Sequence, residues 1–264
     1  MEATDTHCHL NFEIYDNDRD KVLERARKAK LVRILNPGID LDTSSTALRL
    51  AAEHPDVFAA VGIHPNSALG YSAESIDQLR SLAKHQKVVA IGEIGLDYYR
   101  DAAAIDLQKR VLLQQLDLAA ELNLPVVLHN REATDDILVI LEKWHNELKT
   151  KGSNLILRPG VLHSFSGSVQ EAYRAIKLGF KIGINGPITF KNSSRLQDVV
   201  ATIDLEDILI ETDAPFLTPH PYRGKRNEPA YVLFVAQRVA TIKNVSLEVV
   251  MDITTQNALY LFNW

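Results

Sequence analysis

The sequence holds one cysteine, Cys8, among 264 residues. No intrachain disulfide can form, so stability must come from a packed core, and the thiol content fits a reducing interior. No stretch approaches the ~18 consecutive apolar residues of a membrane span. The first ten residues, MEATDTHCHL, lack the basic start and apolar run of a secretory leader. A cytoplasmic protein with no membrane contact and no obligate protein partner is therefore expected. Basic charge is not in excess: 29 Lys and Arg stand against 34 Asp and Glu, a formal net charge of −5. Proteins that hold long nucleic acid through their overall field are usually basic. Any phosphate substrate here must be gripped locally, by metal ions and a few Arg or Lys. Gly-rich phosphate turns of the GxGxxG and GxxxxGK types are also missing, which argues against an open nucleotide-binding sheet. No linker, low-complexity tract or repeat divides the chain, so a single domain over 1–264 is expected.

What is there is an alternation. Short apolar runs at residues 2–7, 32–36, 57–63, 88–94, 125–129, 160–163, 180–184 and 207–212 read as strands. Segments with helical spacing lie at 18–30, 43–53, 72–84, 106–122, 133–149, 169–178, 194–202 and 230–243, with a further helical tail over 246–264. Eight strand–helix units whose strands are nearly continuous in Val, Ile and Leu predict parallel βαβ units with both sheet faces covered. The length matches the ~250 residues of a (β/α)8 TIM barrel.

The His and acidic residues fall at the strand ends. His7 and His9 end the first strand, His64 the third, Glu93 the fourth, His129 the fifth, His163 the sixth and Asp213 the eighth. In a barrel these ends open on one face, where barrel active sites are built. Side chains alternate along a strand, so His7 and His9 point the same way and Cys8 points toward the helix layer. A carboxylate can bridge two cations and an imidazole cannot, so Glu93, flanked by Gly92 and Gly95, is the expected bridging ligand. Asp213 can both ligate and take a proton from attacking water. The expected metal ligands are His7, His9, Glu93, His129, His163 and Asp213, holding two divalent ions; Zn, Mn, Mg and Ni all remain open. Arg131 and the loop residues Lys191, Arg223, Lys225 and Arg226 bring positive charge to the same face, while Tyr98, Tyr99, Phe165 and Phe190 lie beyond strand ends.

The stretches DTHCHL (5–10), GIHP (62–65), IGEIGLDYYRD (91–101), LPVVLHNREA (124–133), LHSFSGS (162–168), ETDAPFLTP (211–219), RGKRNEP (223–229) and TTQNALYLF (254–262) together resemble the TatD family of metal-dependent deoxyribonucleases. The resemblance runs the length of the chain and keeps the His-x-His of the first strand. It implies a (β/α)8 fold and a binuclear centre in which His7, His9, Glu93 and Asp213 hold one ion, and Glu93, His129 and His163 the other. It also implies cleavage of DNA phosphodiester bonds from the 3′ end, and the acidic net charge fits a grip on an end or a frayed single strand better than on a duplex. In that reading Asp213 and Glu93 are catalytic, and His64, Arg131 and Arg223 orient the phosphate. Hydrolysis of a carbonyl substrate (an ester, amide, lactone or D-aminoacyl-tRNA) by the same centre is the alternative. A non-enzymatic barrel predicts decayed ligands, and all six are present.

Overall fold

A computed structural model describes residues 2–264; residue 1 of the expected domain lies outside the described residues. Eight parallel strands stand in chain order, each hydrogen-bonded to the next. They are β1 (Ala3–Asp5), β2 (Leu31–Pro37), β3 (Val57–Val61), β4 (Val88–Asp97), β5 (Val126–Arg131), β6 (Gly160–Leu162), β7 (Lys181–Ile184) and β8 (Ile208–Ile210). Around them run α1 (Arg19–Lys28), α2 (Leu41–Glu53), α3 (Ser75–Leu82), α4 (Ile105–Leu122), α5 (Thr134–Thr150), α6 (Val169–Lys177), α7 (Ser194–Thr202) and α8 (Val232–Lys243), followed by α9 (Leu247–Phe262). This is the expected (β/α)8 barrel.

Local chemistry starts and stops the helices. Asp40 and Thr43 form a reciprocal capping box at α2, with Thr43 N–H donating to Asp40 Oδ1 at 2.8 Å. Ser168 and Glu171 do the same at α6. Asn123, Asn244 and Asn263, each in the left-handed region, end α4, α8 and α9. The helix expected at 72–84 is shorter, because the Ser75 hydroxyl accepts the Ser72 amide at 2.9 Å and closes a turn ahead of α3.

Four strands stop earlier than the sequence suggests. Runs expected to reach residues 7, 63, 163 and 212 end at Asp5, Val61, Leu162 and Ile210. Beyond β1, β6 and β8 carboxylates take over from the ladder. Asp5 accepts the amides of His7 (3.3 Å) and Thr212 (2.9 Å), and Glu211 accepts the amide of Ser164 (2.6 Å). Conversely, β4 runs three residues past its expected end, pairing Ile94, Gly95, Leu96 and Asp97 with Leu128 to Arg131. Gly95 makes this pairing feasible: at φ 147° a Cβ there would collide with the His129 carbonyl. The β8–β1 seam is closed beyond the strands themselves. Thr6 N–H reaches Ile210 O (3.2 Å), Asp213 N–H reaches His7 O (2.8 Å) and His9 N–H reaches Ala214 O (2.8 Å).

The core has two parts. The larger lies between the strands and the helix layer. The smaller fills the lumen with Leu35, Ala60, Ala90, Val127, Val161 and Leu209, and is continued by Ala258, Leu261 and Phe262 of α9. The tail helix therefore plugs the end of the barrel opposite the C-terminal strand ends. Trp264 packs on Phe58 at 5.0 Å beneath it. Phe262 is 2% exposed, so Phe262→Ala should lower the unfolding free energy by about 3 kcal/mol through the cavity it leaves. Chemical denaturation would measure this; a loss under ~1 kcal/mol would mean the plug carries little of the core's energy.

Candidate metal centre

The strand period aims the site residues. Val127, Val161 and Leu209 occupy the lumen, so His129, His163 and Glu211, each two positions further on, point the same way. Beyond β1, His7 and His9 converge with Nε2 atoms 3.2 Å apart. Cys8 between them is fully buried in the outer core and bridges to Ala214. The same stretch of seam presents Asp213 opposite this pair.

Glu93, 3% exposed, sits at the middle of the cluster. Its Oε2 lies 3.4 Å from His7 Nε2 and 3.6 Å from His9 Nε2. Its Oε1 lies 2.8 Å from His129 Nδ1 and 3.0 Å from His163 Nε2. One carboxylate thus turns an oxygen to each of two imidazole pairs. Asp213 Oδ1 completes the first set, 3.9 and 3.7 Å from His7 and His9. All six residues named as ligands from the sequence are brought together. His64 joins them with Nε2 3.4 Å from Glu93 Oε1. Its Nδ1 accepts the Asn66 amide at 3.1 Å, so neutral His64 carries its proton on Nε2 and presents a donor rather than a lone pair.

The sequence reading passed over three carboxylates. Asp97 lies 3.2 Å from His129 Nε2 and is held by the amides of Tyr99 and Arg100. It escaped notice because β4 was read as ending at residue 94. Glu211 lies 3.4 Å from His163 Nδ1, within ionic reach although poorly aligned for a hydrogen bond. The His7 and His163 rings stack at 3.8 Å, so Glu93 faces one edge of the stack and Glu211 is at the other edge of His163. The parity of Leu209 and Glu211 in the sequence was the available signal. Asp5 accepts the Thr212 hydroxyl at 2.6 Å and anchors the seam.

Burial and charge pull these groups apart. Burial pushes the Asp213 carboxyl up to about 7 and that of Asp5 up to about 8. Burial would raise Glu93 too, but the imidazoles of His163 and His64 hold it well below the usual carboxylate range. Burial draws His9 down to about 4 and His7 well below the imidazole range. At His163 and His129 burial acts in the same direction, yet carboxylates prevail: Glu93 and Glu211 lift His163 well above its usual value, and Asp97 and Glu93 lift His129. Burial thus disfavours the proton on two imidazoles while carboxylates favour it on the other two, so the carboxylates draw positive charge into the lumen.

That is an environment suited to divalent cations. Three groupings bring donor atoms within 4.8 Å of one another: His7, His9 and Asp213; His64, Glu93 and His129; and His7, His163 and Glu211. The donor set, imidazole with carboxylate, suits transition metals and Mg or Mn better than Ca.

A cavity of about 830 Å³ opens over the cluster, lined by Arg100, Arg131 and Arg223 among others. Arg131 stacks on Tyr99 at 3.7 Å and Arg223 on Phe190 at 4.2 Å. Among the described residues none of the three arginines meets a carboxylate, whereas Arg226 is bound to Asp18 by two hydrogen bonds of 2.8 and 2.7 Å. Lys191 and Lys225 are exposed and do not line the cavity. Phe165 is buried, and Tyr98, which donates to Asp136 at 2.6 Å, does not line the cavity.

The family described as TatD related DNase matches residues 4–263. A relative from Bacillus subtilis, named uncharacterized metal-dependent hydrolase YabD, is 44% identical over 98% of both chains. A Pantoea protein named 3′-5′ ssDNA/RNA exonuclease TatD is 38% identical over 94% of both. The crystal structure of YjjV, a TatD homologue from Escherichia coli K12, superposes with a TM-score of 0.91 at 33% identity, covering 99% of this chain and 98% of that one. With a barrel of the same shape and a lumen of clustered imidazoles and carboxylates, the chain belongs to the TatD-related DNase family, among relatives named as metal-dependent hydrolases.

Proposed function

We propose that the protein is a metal-dependent phosphodiesterase that removes nucleotides from the 3′ end of DNA, acting on single strands or frayed ends. The observation that carries this reading is the Glu93 carboxylate, divided between two imidazole pairs beneath a cavity rimmed by three arginines free of carboxylate partners. The name of the Pantoea relative, at 38% identity, supports the nuclease assignment. In this reading His7, His9, Asp213 and Glu93 would hold one divalent ion, and Glu93, His129 and His163 a second; Zn, Mn, Mg and Ni all suit the donors. Such ions would supply a nucleophile at neutral pH by lowering the pKa of water to ~7, and would offset charge on phosphate oxygens.

The remaining work falls to the chain's own groups. Asp213 makes no side-chain hydrogen bond among the described residues and stands at the cavity wall, where it takes the proton from the attacking water. His64 Nε2–H donates to a phosphate oxygen. Arg131 and Arg223, with Arg100 beside them, match the remaining oxygens with planar forks. The net charge of −5 is no obstacle, because the positive groups are gathered where the strand must enter.

Single-stranded oligonucleotides labelled at the 3′ or the 5′ end, incubated with added Mg, Mn or Zn, test this. Metal-dependent loss of the 3′ label with a shortening ladder from the 5′ label is expected. Glu93→Ala should abolish metal content and slow cleavage on the order of a thousandfold, equivalent to several kcal/mol of lost charge stabilisation. Full activity in that variant would falsify the assignment. Hydrolysis of esters or amides in place of oligonucleotides would move the same centre to carbonyl chemistry.

Glu211→Gln should weaken metal binding about 10- to 100-fold by removing the partner that orients His163. Titration calorimetry reads this; unchanged affinity would make Glu211 a structural acid only.

Metal binding should also release protons. Carboxylates raise the proton affinity of His129 and His163 in the metal-free protein, and both imidazoles must be neutral to ligate. Metal affinity should therefore fall as pH is lowered. Calorimetry in buffers of different ionisation enthalpy counts the protons, and a count of zero at pH 7 contradicts the ligand assignment.

A further inference from the structure

The geometry points to a nucleobase subsite on Phe12 and Phe216, which takes the unpaired base of the nucleotide whose phosphodiester lies at the Glu93 cluster. It rests on the phosphodiesterase reading and adds how the nucleotide is recognised.

Phe12 stacks flat on His9, with ring centroids 4.5 Å apart and planes 13° from parallel. It is therefore registered against a residue of the cluster itself. Phe216 meets Phe12 edge-on at 6.1 Å and 71°, and His9 at 6.3 Å and 67°. An edge-on contact leaves a ring face uncovered, and Phe216 is 52% exposed while lining the cavity.

The backbone beneath it is held firmly. Phe216 N–H donates to Asp213 O at 2.9 Å, and its carbonyl accepts from Asn227 Nδ2 at 2.6 Å. Asn227 is fully buried and also donates to Thr212 O at 3.0 Å. An apolar ring exposed beside buried ionisable groups carries a hydration cost. Pinning its backbone to the carbonyl of Asp213 suits a surface meant to be covered by ligand.

Placement selects the ligand. Arg131 ends β5 and Arg100 follows β4, whereas Phe12 and Phe216 follow β1 and β8. Phosphate oxygens at Arg100 and Arg131 thus leave the attached base directed across the cluster toward the two rings. An aromatic face accepts any base, because every base has a π face. A base inside a duplex is covered by its neighbours and must be unstacked first. The other aromatics that meet an arginine at this mouth are already engaged, Tyr99 by Arg131 and Phe190 by Arg223.

The test compares two metal-loaded reactions on single-stranded oligonucleotides of the same sequence. One carries an ordinary 3′-terminal nucleotide and the other a 3′-terminal abasic tetrahydrofuran residue. The wild type should favour the base-bearing end in kcat/KM by about tenfold, the scale of one stacked base. In Phe216→Ala that ratio should fall to near one, with metal content unchanged, and Phe216→Tyr should restore it. A ratio unaltered by Phe216→Ala, or a wild type indifferent to the base, overturns the subsite and leaves the phosphodiesterase reading intact. If the wild type with metal bound cleaves neither oligonucleotide, the phosphodiesterase reading falls and the subsite with it.

Discussion

The Glu93 carboxylate, buried among four imidazoles of His7, His9, His129 and His163, is the interaction on which the rest of the structure depends. Removing such charges from water costs several kcal/mol per ion unless partners compensate. A flexible loop would escape the cost by turning outward. Here these groups cannot, because they follow parallel strands whose inward positions are already committed to the lumen core at Val127, Val161 and Leu209. The frame holds the cluster in a geometry it would not adopt on its own. The raised pKa values of His129 and His163 express the resulting demand for positive charge.

A second constraint lies at the seam between the last strand and the first. Ladder pairing stops at Asp5 and Ile210, and the Asp5 carboxylate takes the Thr212 hydroxyl and amide in its place. This frees the chain to turn at Asp213 while the Asp213 amide still reaches His7 O. The two ends of the sequence thereby meet at the centre, with His7 and His9 from one and Asp213 from the other. The plug of α9 at the opposite mouth leaves the face that carries the Glu93 cluster as the open end of the barrel.

Charge is organised by region rather than by total. Arg226 and Arg25 are tied to carboxylates away from the cluster and Arg195 at the cavity to Glu171, while Arg100, Arg131 and Arg223 meet none among the described residues. Aromatic rings carry two of these three and leave Phe216 uncovered. An acidic protein can in this way present a positive, aromatic-lined entrance.

Much of this was legible in the residues. Alternation of apolar runs with amphipathic segments specified the barrel, because parallel strands buried on both faces require continuous Val, Ile and Leu. The fall of His7, His9, His64, Glu93, His129, His163 and Asp213 at strand ends indicated their convergence, because all such ends share one face. Asp97 and Glu211 remained hidden: their partners, His129 and His163, are 32 and 48 residues away in sequence, and strand ends depend on hydrogen bonds that no local pattern reveals. Whether a loop residue is bound elsewhere, as Arg226 is, or left free, as Arg223 is, also depends on what packs beside it. The chain by itself determined which groups line the lumen, through a two-residue period. Only the tertiary structure decided which oxygen faces which imidazole, and which rings and arginines stay open to a substrate, because those distances arise where distant segments meet.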